Sequence, residues 1–452
     1  MPTQSSRLDR TLVILTLIIL VGLPLPVGSN RDWAVGLFCM FIGTVSVLWA
    51  IGQWRGILTP SGAFKPAVPM LAMLLLTQTW VAIQWLGGFS VDSGATAEAL
   101  LLGLGYTLLF LVIVSVFHTR KRVTLLLGSL VVSGTLQAFY GTFMTLAGIE
   151  WLLATPKTAY IGDATGTFVN RNSMAGYLEL TLAAGIGLLL ALRDTRPFSW
   201  TQLVELLMGP KARLRLALVV MVIALVMTHS RGGNASFFVA LLLVGGFFIL
   251  RNKENRLRNS LILVSLIVID VLVISQYFGL ERLKERVLNT RLSDTVVNSE
   301  IVQRANEIRG DVFLYALPLA QDKPITGQGA GSFEAVFPKY PGEDIRLHFD
   351  LAHNDYIQFA IEYGVLGMLP LAVFVLLALY WAFKALWQQR SLYRSGVGFA
   401  AAMGIIALLT HAMTDFNLQI PANAATFVVM CALAVLANHH SKERRKQSSA
   451  RL

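Results

Sequence analysis

The sequence predicts an all-α polytopic membrane protein, with about twelve transmembrane helices in a bundle and one large loop outside the membrane. Three observations predict it. Of 452 residues, 55% are hydrophobic and only 14% are charged, whereas soluble domains carry about a quarter charged residues. Apolar runs approaching the roughly twenty residues that cross a bilayer core recur along the chain. One long polar segment, residues 280–352, interrupts them.

The runs fall at 11–27, 33–54, 66–87, 98–117, 123–147, 173–192, 215–229, 236–250, 259–279, 357–386, 396–416 and 421–438. The first could pass for a signal peptide. It lacks a small-x-small cleavage site and is expected to remain as a helix. The seventh and eighth are short. The expected organisation is nine spans in 1–279, a loop in 280–352, three spans in 353–438 and a basic, disordered tail in 439–452. Cys39 and Cys431 lie inside apolar runs, so they imply no disulfide framework and no metal site.

Orientation follows from Lys and Arg. With the N-terminus in the cytoplasm, 24 of the 37 basic residues fall on the cytoplasmic side and 13 outside. Nine of those 13 lie in the long loop. This is the positive-inside pattern, and it puts both termini in the cytoplasm. It also explains the net charge of +11 without a nucleic-acid partner; the tail suits anionic membrane lipid. In the short outer loops only Arg31, Lys157, Arg171 and Arg231 are basic. Arg31 and Lys157 read as surface charges, whereas Arg171 and Arg231 sit against apolar helix ends among Gly and Asn.

Four outward-facing patches could carry chemistry. The first is Gly166-Thr-Phe-Val-Asn-Arg-Asn172. Asn172 or Ser173 suits a helix cap, and Asn170, Arg171 and Asn172 add donors at a helix N-terminus, where anions are favoured. The second is Thr228-His-Ser-Arg-Gly-Gly-Asn234. The Arg231 guanidinium can grip a phosphate with two parallel hydrogen bonds, and the glycines allow close backbone approach. His229 reads as an interface histidine. The third is Arg304, on an amphipathic helix expected over 300–319 from apolar residues at helical spacing. The fourth is His353-Asn354-Asp355-Tyr356 at the start of span ten. A neutral imidazole beside a carboxylate can take a proton from a hydroxyl. Asp350 and Asp355 are close enough in sequence to orient it, and His348, in the loop proper, is a less favoured base.

The run Gly327-Gln-Gly-Ala-Gly331 lacks the Gly-Lys-Ser/Thr of a nucleotide loop. No Asp-x-Asp or His/Glu cluster for a divalent metal is evident outside, so neither metal nor cofactor is expected.

Together these pieces resemble the O-antigen ligase and polymerase superfamily of bacterial envelope enzymes. The resemblance covers about residues 166–370. It rests on Gly166-Thr-Phe-Val-Asn-Arg-Asn172, Ser230-Arg-Gly-Gly233, the Arg304 helix leading into Pro324-Ile-Thr-Gly-Gln-Gly329, and Ala352-His-Asn-Asp-Tyr356 with Glu362-Tyr-Gly364 behind it. It implies a GT-C-like bundle in the bacterial inner membrane and a metal-independent, inverting glycosyltransferase. The donor would be a glycan on undecaprenyl diphosphate, the acceptor a glycan or glycolipid such as lipid A–core, and the site would face the periplasm. Arg231 and Arg304 would then hold the diphosphate and His353, with Asp355, would deprotonate the acceptor. Arg171, Asn170, Asn172, Asn354 and Tyr356 would contact donor or acceptor. A polysaccharide polymerase of the same chemistry, differing only in its acceptor, is the alternative. A transporter or flippase of an anionic lipid or solute fits less well, because the unusual polar groups gather at one face rather than at the midplane.

Overall fold

The computed structural model describes residues 7–192, 210–251, 260, 264, 295–297, 300–303, 309–339 and 348–441. Its helices are α1 (Arg7–Gly22), α2 (Asp32–Trp54), α3 (Phe64–Leu86), α4 (Ser93–Val116), α5 (Arg120–Leu146), α6 (Arg171–Ala191), α7 (Pro210–Met227), α8 (Arg231–Arg251), α9 (Arg309–Asp322), α10 (Phe333–Val336), α11 (Asp355–Gln388), α12 (Leu392–His411) and α13 (Pro421–His439). Among the described residues, nine of them are long and apolar enough to cross a membrane. Of the expected spans, α1 falls short with 16 residues. The α7 helix carries Lys211, Arg213 and Arg215 in its first two turns. Most of the expected ninth span, all of 280–294, Arg304 and the tail beyond Ser441 lie outside the described residues. The expected amphipathic helix over 300–319 is corrected in part. Glu300–Gln303 is a strand paired antiparallel with Thr295–Val297, and the helix starts at Arg309. The β-branched pair Ile301–Val302 suits the strand.

The α6 and α13 helices are fully enclosed. A carbon added at Gly396 of α12 would stand 2.5 Å from the Ala191 nitrogen, and one at Gly187 of α6 would stand 2.5 Å from the Ala400 Cβ. Small residues let these two backbones approach closely, the usual seam between helices in lipid. Leucines and phenylalanines such as Phe41, Leu76, Phe139, Leu242 and Leu376 point outward.

The two ends of the bundle differ in chemistry. At one, Arg122 pairs with Asp9, the Arg120 and Ser441 backbones bond to each other, and Arg394 donates to the carbonyls of Ala437 and His440. At the other, histidines and carboxylates meet at the ends of α6, α7, α8, α11 and α12. The basic end is the one the loop bias assigns to the cytoplasm.

The α11 helix is broken at Gly364 (φ 57°, ψ −172°), a conformation open to glycine. The groups freed by the break pair with the α9–α10 turn. Val365 N donates to Pro324 O at 2.9 Å, and Gln328 N to Ile361 O at 2.7 Å. From α3, Trp80 Nε1 donates to Tyr363 O at 3.0 Å.

Candidate active site

The site is organised around one turn. The expected eleventh span, 396–416, stops early. The α12 helix ends at His411, and residues 412–420 turn back toward α13. Asp415 Oδ1 accepts Phe416 N at 2.9 Å. On one side of this turn sits the first turn of α8. A carbon at Gly232 would be 2.8 Å from Thr414 Oγ1. On the other side sits the start of α11. The His353 ring packs edge-on against Phe416, 4.8 Å between centroids, with Phe349 at 6.0 Å. His353 and Gly232, the residue after Arg231, thus both pack against a single short turn, although Arg231 and His353 lie 122 positions apart in sequence. Arg231 is exposed and His353 half-buried.

His353 adopts a left-handed backbone (φ 51°), a conformation that a non-glycine holds at a cost and that is common at functional positions. The polar residues after it hold it there. Asn354 Oδ1 caps α11 by accepting Tyr356 N at 3.0 Å and Ile357 N at 3.1 Å, and its Nδ2 donates to Met413 O at 2.9 Å. Tyr356 OH donates to Leu409 O at 2.9 Å. Asp355 is buried and accepts Leu418 N at 2.9 Å and Gln419 Nε2 at 3.2 Å. Asp355 ties α11 to the 412–420 turn, while Asp350 Oδ1 lies 3.1 Å from His348 Nε2.

A second cluster lies on the same face, at the α5–α6 strap. Asp163 holds His229 Nδ1 at 2.5 Å through one oxygen and Arg171 Nη1 at 2.9 Å through the other. Burial alone would raise the Asp163 pKa, but the hydrogen bonds and charges of His229 and Arg171 outweigh it and hold the carboxyl below its usual value. His229 shares the left-handed conformation (φ 54°) and is a carboxylate-paired imidazole rather than a plain interface residue. Lys157, read as a surface charge, braces the strap from inside. Its side chain is 3% exposed and donates to Glu150 and to Asp163 O. The cap of α6 is Asn170, which accepts Asn172 N at 2.8 Å. Asn172 itself is buried in the first turn, because the helix begins two residues before the expected position.

The glycine-rich turn is a clamp. Its N–H groups are taken by protein: Gly327 by Lys323 O, Gln328 by Ile361 O, Gly329 by Glu362 O, and Ala330 by Gln84 Oε1. An anion cradle needs such donors free. The glycines of α8 likewise make room for protein, His411 and Thr414 at Gly232 and Ala175 at Gly233.

The expectation of no His and carboxylate cluster outside is also corrected. Folding brings Glu334, His348 and Asp350 together at the exposed surface, close enough to share a cation. The hydrogen bond from His348 Nε2 to Glu334 Oε1, 2.9 Å long, raises the His348 pKa against the opposing effect of desolvation, and the charges of Asp350 and Glu334 add to the rise.

Sequence reasoning missed Asp163, Glu179, His411 and Asp415. The last three carried a signal: ionisable residues inside apolar runs are expensive in lipid and mark function or pairing. Arg304 lies outside the described residues, so its position relative to Arg231 is not part of this site.

Residues 216–372 match the family described as O-Antigen ligase. A curated protein of Haemophilus influenzae, described as uncharacterized, is 24% identical over 201 residues, which cover 42% of this chain and 48% of that protein. The match thus spans about half the length of that relative. The matched segment carries Arg231, the glycine-rich clamp and His353, and over these residues the chain is similar to the O-antigen ligase family.

Proposed function

We propose that this protein is a glycosyltransferase of the ligase type. It would move a glycan from polyprenyl (undecaprenyl) diphosphate to a sugar hydroxyl of a glycolipid acceptor, at the periplasmic face of the bacterial inner membrane. The observation that carries the reading is that the start of α8, which Arg231 opens, and His353 both pack against one turn. The acceptor oxygen attacks the anomeric carbon as the bond from that carbon to the phosphate oxygen breaks. The acceptor proton passes to His353, and the diphosphate leaves with its charge against Arg231.

Each part suits its residue. Arg231 opens α8, so its guanidinium fork and the positive end of the helix dipole face the same anion. Stabilising a leaving diphosphate is the larger contribution to rate, and the base adds about 10²–10⁴-fold. The Asp163–His229–Arg171 cluster would bind the donor or acceptor sugar, with the Arg171 guanidinium 5.6 Å above the Tyr160 ring. Asn170, Asn172, Asn354, Asp355 and Tyr356 would serve mainly by holding the backbone. Arg304 remains proposed as a second diphosphate ligand. The same chemistry with a growing glycan as acceptor is polymerisation.

His353→Ala is the test. In purified protein with lipid-linked donor and acceptor, it should abolish transfer while donor binding persists. Near-normal turnover would make His353 a structural residue and overturn the mechanism.

A further inference from the structure

In the outer half of the bundle a carboxylate and an imidazole meet out of solvent. Glu179, on the third turn of α6, is 0% exposed, and His411, the last residue of α12, is 1% exposed. His411 Nδ1 lies 2.7 Å from Glu179 Oε1. The mechanism above uses neither group. Ionisable side chains at such depth persist when they are paired and used.

The first turn of α8 rests directly on this pair. A carbon added at Gly232 would stand 3.1 Å from His411 Cδ2 and 3.2 Å from its Nε2. One added at Gly233 would stand 3.2 Å from Glu179 Oε1. Each glycine therefore faces one member of the pair, and any side chain there would push the helix off it. Helix dipoles agree with the arrangement. The carboxylate lies beneath the N-terminus of α8, and the imidazole sits at the C-terminus of α12, where each charge is favoured. The residue just before the two glycines is Arg231.

We propose that Glu179 and His411 are a positioning pair: they fix the first turn of α8 and thereby aim the Arg231 guanidinium at the donor diphosphate. The proposal rests on the reading of Arg231 as the diphosphate ligand. Neither side chain touches substrate. Both act through the backbone of Gly232 and Gly233. The α6–α12 seam at Gly187, Gly396 and Ala400 lies two to four turns further along the helices, so neutral replacements of the pair leave that seam in place.

The test measures binding of farnesyl diphosphate, a soluble isoprenyl diphosphate, to the full-length protein in lipid nanodiscs. Wild type should bind it, and Arg231→Lys should bind it more weakly. Glu179→Gln and His411→Gln should each weaken binding about tenfold, the effect of one misaligned charged hydrogen bond. In an Arg231→Ala background, Glu179→Gln should weaken binding no further, since a pair acting through Arg231 has nothing left to position. In transfer assays Glu179→Gln should raise the donor KM and leave the acceptor KM unchanged. Binding of Glu179→Gln within about twofold of wild type, or an equal loss with and without Arg231, overturns the proposal. Should Glu179→Gln not yield folded protein, Gly232→Ala perturbs the same contact from the other side, and unchanged affinity there overturns it as well. Wild type that binds no farnesyl diphosphate, or Arg231→Lys that binds normally, refutes the diphosphate reading itself.

Discussion

Replacing Asp163 with alanine should destabilise the folded protein by about 2 kcal/mol. The carboxylate holds the His229 imidazole at 2.5 Å and the Arg171 guanidinium at 2.9 Å. A hydrogen bond to a charged group contributes about 1.5–3 kcal/mol when desolvated. Here the partners are partly solvated, with the Arg171 side chain 36% exposed and that of His229 29%. Solvent screening brings each contact toward about 1 kcal/mol. Asp163→Asn retains one acceptor oxygen and should lose about half as much. Because the Asp163 pKa is depressed in the fold, its own contribution is complete above the ordinary value of 3.8 and is lost only as pH falls below it. Reversible unfolding in mixed micelles at neutral pH measures the difference. Equal stability of Asp163→Ala and wild type would refute the argument, as would Asp163→Asn being the more damaging of the two.

Other predictions follow from the same structure. With Cys39 replaced, a cysteine at Glu334 should react with an impermeant thiol reagent on intact spheroplasts; labelling only after lysis would invert the topology. Arg231→Lys keeps the charge but loses the two-pronged fork, so transfer should fall strongly. Chelator should leave transfer unchanged, and inhibition reversed by a divalent cation would point to the Glu334–His348–Asp350 cluster. Gly364→Ala places a Cβ against Ile325 O and 2.5 Å from Gly327 N, in a backbone region closed to alanine. It should release the clamp and lower stability by more than the about 1 kcal/mol of a typical point substitution.

Much of this protein is local and therefore legible in its sequence. Hydropathy places helices because each span must satisfy its own backbone in lipid, independent of its neighbours. Eleven of the twelve expected runs coincide with helices, and the twelfth falls outside the described residues. Charge bias and the isolated motifs likewise pointed to Arg231 and His353 as residues of one face. What the tertiary structure decided is which groups meet. Asp163 finds His229 across 66 positions and Glu179 finds His411 across 232. The carboxylate beside His353 in sequence turns instead to Leu418 and Gln419. A hydropathy window also carried span eleven through residue 416, past the point where the helix stops at His411. Thr414 and Asp415 interrupt the apolar run there, and the side chains of Asn354 and Asp355 at the start of α11 give the turn its partners, at Met413 O, Leu418 N and Gln419 Nε2. Such pairings depend on the distance between helices packed side by side, and that distance is set by which small residues face each other in the bundle rather than by spacing along the chain.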